Sequence, residues 1–250
     1  MTYPVQACRN EPCSLSRVKQ AFQRRRRAAL VGLVGLAGRP LRRDRADDPY
    51  HAVFADFIEA ANAFEDSSVL ELGARGTHVD PRLHGYRRYV GVDVHPGPNV
   101  DVVGDAHRLS ELVEGPFDAV YSISTFEHLA MPWKVVLEIN RILRVGGLLF
   151  TATHHTWPPH ELPWDYWRYS RGAFESLLNA HTGFELIRVE EGLPGLIVPM
   201  VKEASTRGMH RDPSPLAVSA LARKIGPPRA DLRWDLTAAD VAHGSYPTHD

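Results

Sequence analysis

Two acids and a glycine, each placed where an apolar run ends, are the residues of this chain best spaced to do chemistry. Val69-Leu70-Glu71-Leu72 runs into Gly73-Ala74-Arg75-Gly76, Tyr89-Val90-Gly91-Val92 ends at Asp93, and Val102-Val103-Gly104 ends at Asp105-Ala106. An apolar run that stops at a glycine lets a buried strand turn tightly and brings backbone N–H groups close to whatever lies above the sheet edge. The acid twenty residues after Gly73 closes a second strand, where a carboxylate can accept both hydroxyl protons of a ribose. A nucleoside is the expected ligand. The dinucleotide pattern G-x-G-x-x-G would need glycine where Arg75 and His78 stand, which disfavours a nicotinamide oxidoreductase.

A second group follows a later apolar run: His154-His155-Thr156-Trp157-Pro158-Pro159-His160-Glu161-Leu162-Pro163-Trp164-Asp165-Tyr166-Trp167-Arg168-Tyr169. It holds three of the five tryptophans. Rigid aromatics with prolines to hold the loop, and His, Asp and Arg as polar handles, suit a pocket for a ring system or a sugar face. His155, Trp157, Trp164, Trp167 and Arg168 are the expected substrate-binding residues. His160 or His128 is the expected general base, with Asp165 orienting His160 and stabilising its imidazolium form.

The elements that must position these residues follow from periodicity. Asp47-Asp48-Pro49 supplies acidic capping residues and a first-turn proline, and Tyr50, Val53, Phe54, Phe57, Ile58, Ala61 and Phe64 recur at helical spacing. Apolar runs near Val69–Leu72, Tyr89–Val92, Val100–Val103, Phe117–Ile123 and Leu148–Ala152 read as strands, with helices near Trp133–Leu143 and Arg171–Ala180 between them. Such alternation predicts an α/β fold with a doubly wound, parallel sheet. The aromatic loop then lies at the carboxyl end of the fifth strand, in the mouth of the crevice. Residues 1–46 are expected as a basic, helical N-terminal extension and 47–200 as the catalytic domain. Residues 201–250, rich in Pro, Gly, His and charge with one apolar helix candidate at Pro215–Arg223, are expected as a lid, arm or partly ordered tail.

The ordered motifs from Val69 to Thr153 resemble those of the class I S-adenosylmethionine-dependent methyltransferases, in the broad type 11-like group. The glycine turn is similar to that family's E/D-x-G-x-G-x-G, with Arg75 and Thr77 where the pattern has glycines. Phe117-Asp118-Ala119-Val120-Tyr121-Ser122, Phe126-Glu127-His128-Leu129 and Glu138-Ile139-Asn140-Arg141-Ile142-Leu143-Arg144-Val145-Gly146-Gly147 look like its fourth strand, its "EH" turn and its approach to the fifth strand. The resemblance implies S-adenosylmethionine as cofactor and a Rossmann-like, mostly parallel sheet of seven strands with a late antiparallel hairpin, whose strands are expected at Gly183–Val189 and Gly195–Val198. It implies cofactor contacts from Glu71, Gly73, Ala74, Arg75, Asp93, Asp105, Ala106 and Ser122, with the Arg75 guanidinium meeting the methionine carboxylate. Pro158, His160, Pro163, Asp165, Tyr166, Trp167 and Arg168 match a run found in a small-molecule and polysaccharide tailoring subgroup. Methylation of a small-molecule or sugar-like acceptor, at oxygen, is the reading that follows. His154, His155, His160 and Asp165 have donor types suited to a metal, but the acidic clusters of the family's metal-dependent branches have no counterpart here, so no metal is expected.

Composition bounds the alternatives. The 250 residues, 44% hydrophobic, can bury one sizeable core. Through Arg45 there are eleven Lys/Arg against two acids, leaving 18 basic and 28 acidic residues for the remainder. The basic arm suits pairing with the acidic body in the same or a second subunit, an acidic partner, anionic lipid or nucleic acid. A nucleic-acid methyltransferase is disfavoured, since Ser122-Ile123-Ser124-Thr125-Phe126 lacks the [DNS]-P-P-[YFW] motif of many amino-methylating enzymes of that kind. A non-catalytic cofactor-binding protein is the other alternative, suggested by Arg75 and Thr77. The Arg24–Arg27 run followed by Ala28–Gly38 fits a leader template, but it begins deep in the chain and is too short to span a bilayer, so a cytoplasmic protein is expected. Cys8 and Cys13 support neither a disulfide framework nor a metal centre.

Overall fold

In the computed structural model, residues 24–26, 28–33, 35–36, 44, 47–76, 79–201 and 203–232 are described. Cys8, Cys13, Thr77, His78, much of the basic arm and the end of the C-terminal segment lie outside the described residues. The chain divides into units Met1–Asp44 and Arg45–Asp250. In the first, residues 24–26, 28–33 and 35–36 are helical and exposed. Among the described residues no helix is long and apolar enough to cross a membrane.

The second unit opens with α1 (Pro49–Asn62), whose start the Asp48 carboxylate fixes by accepting the Tyr50 N–H at 3.1 Å. Pro49 fits there because a first-turn N–H has no intrahelical partner. Seven strands follow: β1 (Ser67–Leu72), β2 (Tyr86–Asp93), β3 (Val102–Val103), β4 (Phe117–Ile123), β5 (Leu143–His154), β6 (Phe184–Gly195) and β7 (Ser214–Lys224). They form one sheet in the order β3-β2-β1-β4-β5-β7-β6. The first five pair in parallel, and β7 runs antiparallel between β5 and β6. Strand order reverses between β1 and β4, the place where open α/β sheets leave a crevice.

Each face of the sheet has its own apolar layer. Val53, Phe57, Ile58 and Ala61 of α1 pack on Val69, Ala119, Tyr121, Phe150 and Leu221. On the other face α2 (Leu109–Leu112), α3 (Pro132–Ile142) and α4 (Arg171–Leu177) bring Leu109, Val135, Ile139 and Phe174 against Leu70, Leu72, Val120 and Leu149. Residues 73–85 join β1 to β2 with no helix among the described residues.

The hairpin differs from expectation. Gly195 ends β6 instead of opening the next strand, and the return strand is Ser214–Lys224, where the Ala-rich run 215–223 had suggested a helix. The cause is position: β7 is central, and Ala217 to Ala222 are buried on both faces. A run that is apolar on both faces has lost the period-two signature that separates a strand from a helix. The stretch 201–250 therefore contributes an internal strand of the sheet in addition to its loops.

Candidate active site

Register brings the chemistry to one edge. Leu72 pairs with Val92 and Ser122, Asp93 with Val103, and Ile123 with Ala152, so Gly73, Asp93, Ser124 and His154 all sit at the carboxyl ends of neighbouring strands. Gly73 has φ +89, and a Cβ there would fall 1.9 Å from Thr125 Oγ1. Only glycine allows both the left-handed turn and that close approach. Thr125 in turn donates to the carbonyls of Leu72 (3.3 Å) and Ile123 (3.2 Å), which ties the turn after β4 to the turn after β1.

The residues expected around a nucleoside divide in two. Asp93 ends β2 with its Oδ1 accepting the His95 N–H at 2.9 Å, and Ala106 is buried just beyond β3. Asp105 accepts the N–H of His107 at 2.9 Å and lies 2.6 Å from its Nδ1, capping the short helix Ala106–Arg108. Burial opposes ionisation of Asp105, but the His107 amide and ring outweigh it and hold the carboxyl below its ordinary value. Ser122 is fully buried with its hydroxyl unpartnered, beside Thr151, whose hydroxyl is unpartnered too.

Two of those expectations are corrected, and a third residue is found on another partner. The N–H groups of Gly73 and Ala74 both point to the Val92 carbonyl, at 2.8 and 3.2 Å, so neither is offered to a ligand. Glu71 faces the α1 side of the sheet, where Oε2 accepts from Tyr121 Oη at 2.6 Å, Asn99 Nδ2 at 3.1 Å and Tyr89 Oη. Burial and this carboxylate push both phenols up from their ordinary values. Glu71 is thus a buried anchor for the loop containing Asn99. Arg75 makes an exposed ion pair with Glu161 at 3.3 Å, linking the loop after β1 to the aromatic loop.

Beside Thr125, the turn Phe126–His128 carries the most unusual group in the molecule. The Glu127 side chain is completely buried. Thr153 donates to its Oε2. Its Oε1 lies 2.6 Å from His154 Nδ1 and 3.9 Å from the Nε2 atoms of both His128 and His160. Although the His154 contact is close, neither Glu127 Oε1 nor His154 Nδ1 has an aligned hydrogen-bond partner. Burial would raise the Glu127 carboxyl, but the His154 ring and the Thr153 hydroxyl outweigh it and keep it below the ordinary value. Left-handed backbone at Ser124 (φ 52) and Glu161 (φ 50) flanks this cluster, strain that only tight packing maintains in residues with a Cβ.

The aromatic loop wraps the cluster. His128 Nδ1 lies 2.7 Å from the Trp164 carbonyl, and the Tyr166 and Trp167 N–H groups donate to the Glu127 carbonyl at 2.9 and 3.1 Å. Trp157 stacks on His154 with centroids 4.6 Å apart, while Trp164 and Tyr166 are exposed. Asp165 supports His160 mainly through its backbone, accepting the His160 N–H at 2.9 Å.

Two expected substrate contacts are corrected here. Arg168 grips Asp165 with both terminal nitrogens (2.6 and 2.8 Å) and donates to the carbonyls of Trp157, Pro158 and Trp167, so its guanidinium staples the loop. His155 turns to Glu191 on β6, 3.6 Å away, because successive residues at a strand end point to opposite sides. Trp167 donates its indole N–H to the Leu129 carbonyl at 2.8 Å and packs edge-on to Trp133, which pins it to the body.

Residues 70–151 match the family described as "Methyltransferase domain". The fold is shared with the YcgJ protein of Bacillus subtilis, at 16% identity and TM-score 0.51, over 70% of this chain and 99% of that one. A Bacillus halodurans protein assigned as a methyltransferase superposes similarly, at 16% identity and TM-score 0.52, over 69% and 98% of the two chains. Residues 70–151 thus form a methyltransferase domain. A ubiquinone biosynthesis O-methyltransferase from Maricaulis maris is 30% identical over an alignment of 111 residues, 38% of this chain and 44% of that protein. The match therefore spans less than half the length of that relative.

S-adenosylmethionine suits the residues present. Asp93 is a carboxylate at the end of β2 for a ribose diol, and the apolar Ala106 follows Asp105 just beyond β3. Glu127 and Thr153 were outside the expected set of site residues, and His154 entered it only as a metal donor. The signal for Glu127 was its place in the "EH" turn Phe126-Glu127-His128-Leu129, to which no role for the acid was attached.

Proposed function

We propose that this methyltransferase acts on an oxygen of a small-molecule or sugar-like acceptor held between the cofactor crevice and the aromatic loop. The observation that carries this reading is the polar cluster of Glu127, His128, His154 and His160 under exposed aromatic rings, joined through Thr125 to the turn at Gly73. Bound S-adenosylmethionine supplies a methyl carbon already activated by its sulfonium. This chain then has to hold an acceptor in line and manage the proton of its hydroxyl.

Trp157, Trp164 and Tyr166 offer faces for a ring or sugar, and prolines and the Arg168 staple keep them in place. His160 and His128 are the groups that meet the hydroxyl. Asp93 holds the ribose, and Arg75, exposed at the crevice, is free to exchange Glu161 for the cofactor's carboxylate. The O-methyltransferase activity in the name of the Maricaulis maris relative supports an oxygen acceptor.

Calorimetric titration with S-adenosylhomocysteine and, separately, NAD tests the cofactor half. The expected result is micromolar binding of the first alone, weakened roughly 10- to 100-fold in Asp93→Ala through loss of charged hydrogen bonds. His160→Ala is expected to bind S-adenosylhomocysteine normally and to lose about 10²- to 10⁴-fold in turnover. Binding without turnover on any hydroxylated acceptor would favour a non-catalytic cofactor-binding protein.

A further inference from the structure

The Glu127 cluster presents a problem of lone pairs. His128 Nδ1 faces the Trp164 carbonyl, which only accepts, so this nitrogen carries the proton and Nε2 presents its lone pair. His160 Nδ1 faces the Pro158 carbonyl at 3.3 Å and the Asp165 carboxylate at 3.6 Å, two further acceptors, and the same tautomer follows. Both Nε2 lone pairs are thus left near Glu127 Oε1, a buried carboxylate oxygen with His154 Nδ1 2.6 Å away. Three acceptors converge with no donor among them. A proton does not bridge them, because 3.9 Å is beyond hydrogen-bond reach.

A cation would. The three donor atoms lie within 4.8 Å of one another. Metal bonds of about 2.1 Å at tetrahedral angles place ligand atoms about 3.4 Å apart, so closure needs side-chain shifts of about 1 Å or less. The surrounding contacts are those that orient metal ligands: each imidazole is fixed through its other nitrogen, and Thr153 and His154 hold the carboxylate from behind. Two imidazoles and one carboxylate with an open fourth position suit zinc and its first-row neighbours, and not magnesium or calcium.

We propose that Glu127, His128 and His160 bind a divalent first-row cation, zinc by donor set, whose open position faces the acceptor. Cation binding stands on the cluster alone, whereas its use in catalysis rests on the methyl-transfer reading above. In that use the acceptor oxygen binds the cation and its O–H proton is released to water. The oxygen then forms a bond to the methyl carbon as the C–S bond breaks, and the electron pair of that bond neutralises the sulfonium. His160 and His128 then act as ligands, and the cation takes over the lowering of the hydroxyl pKa.

The test is titration of the full chain with Co²⁺, read by its visible ligand-field absorption and by displacement with Zn²⁺, alongside metal analysis of the purified protein. About one equivalent per chain is expected. His160→Ala and the near-isosteric Glu127→Gln should each weaken Co²⁺ binding by more than about tenfold, with S-adenosylhomocysteine affinity unchanged. Asp93→Ala should do the reverse. Absence of Co²⁺ binding in the wild type, or binding that survives both His160→Ala and Glu127→Gln, would overturn the site. Co²⁺ binding that depends on those residues in a protein that fails to bind S-adenosylhomocysteine would support the site while removing the methyl-transfer reading.

Discussion

Arg168 turns its charge into the loop, and the energetics of the Asp165 pair follow from that. The Asp165 side chain is only 2% exposed and the Arg168 side chain 27%, so the bidentate pair is shielded from water and salt. Asp165→Asn should cost about 2–3 kcal/mol at neutral pH, since it leaves a mostly buried guanidinium short of its partner. The Arg168 hydrogen bonds hold the Asp165 carboxyl well below the usual carboxylate range. A depressed folded-state value means the stabilisation is full above the unfolded value of about 3.9 and fades as pH falls below it. Urea denaturation should therefore show the gap between wild type and Asp165→Asn narrowing between about pH 4 and pH 2. A gap that is constant with pH would show that the pair contributes no charge-dependent stability. Glu127, whose carboxyl is also held low, should add to acid lability with the same sign. Residue types at this site were legible because His160 and Asp165 stand in a dense polar-aromatic run and His128 in the turn after the fourth strand. The roles of Arg168 and Glu127 were not, because the direction of a side chain depends on loop packing that spacing does not encode.

At the scale of elements, the meeting of two turns is the critical joint. Gly73→Ala combines a strained φ of +89 with a Cβ overlapping Thr125 Oγ1, and should cost about 1–3 kcal/mol for the backbone alone. Adding Thr125→Ala removes the overlapping hydroxyl but not the strain. The double variant should therefore regain part of the lost melting temperature, and a coupling of zero between the two sites would show that the turns do not touch. Gly73 was legible as a turn because it ends an apolar run, and β4 was read to the residue because Pro116 and the polar Ser124-Thr125 bound it. β7 was not, since its alanines are compatible with a helix until β5 and β6 are known to flank it. Ala220, paired with Thr151 on one side and Val189 on the other, provides the test. Proline there removes a ladder hydrogen bond and clashes, and should destabilise the fold by about 3 kcal/mol or more. A proline tolerated at 220 would contradict a central strand.

For the whole molecule, the charge asymmetry and the division into units make a joint prediction. Everything that builds the crevice lies in Arg45–Asp250: the seven strands, α1 on one face and α2, α3 and α4 on the other, the turn at Gly73 and the Glu127 cluster. The excess of basic residues lies before it, with ten Lys/Arg against two acids through Asp44. A chain starting at Arg45 should therefore keep the melting temperature, S-adenosylhomocysteine affinity and turnover of the full protein on a small acceptor. Attraction to polyanions should behave differently, because the remaining body is acidic and repels them. Any RNA or anionic-vesicle binding by the full chain should weaken steeply with salt, as charge-driven contacts do, and disappear on truncation. If the shortened chain instead lost turnover on the small acceptor while still binding S-adenosylhomocysteine, the arm would belong to acceptor recognition. An acidic or nucleic-acid substrate would then replace the sugar-like one as the molecule the crevice serves.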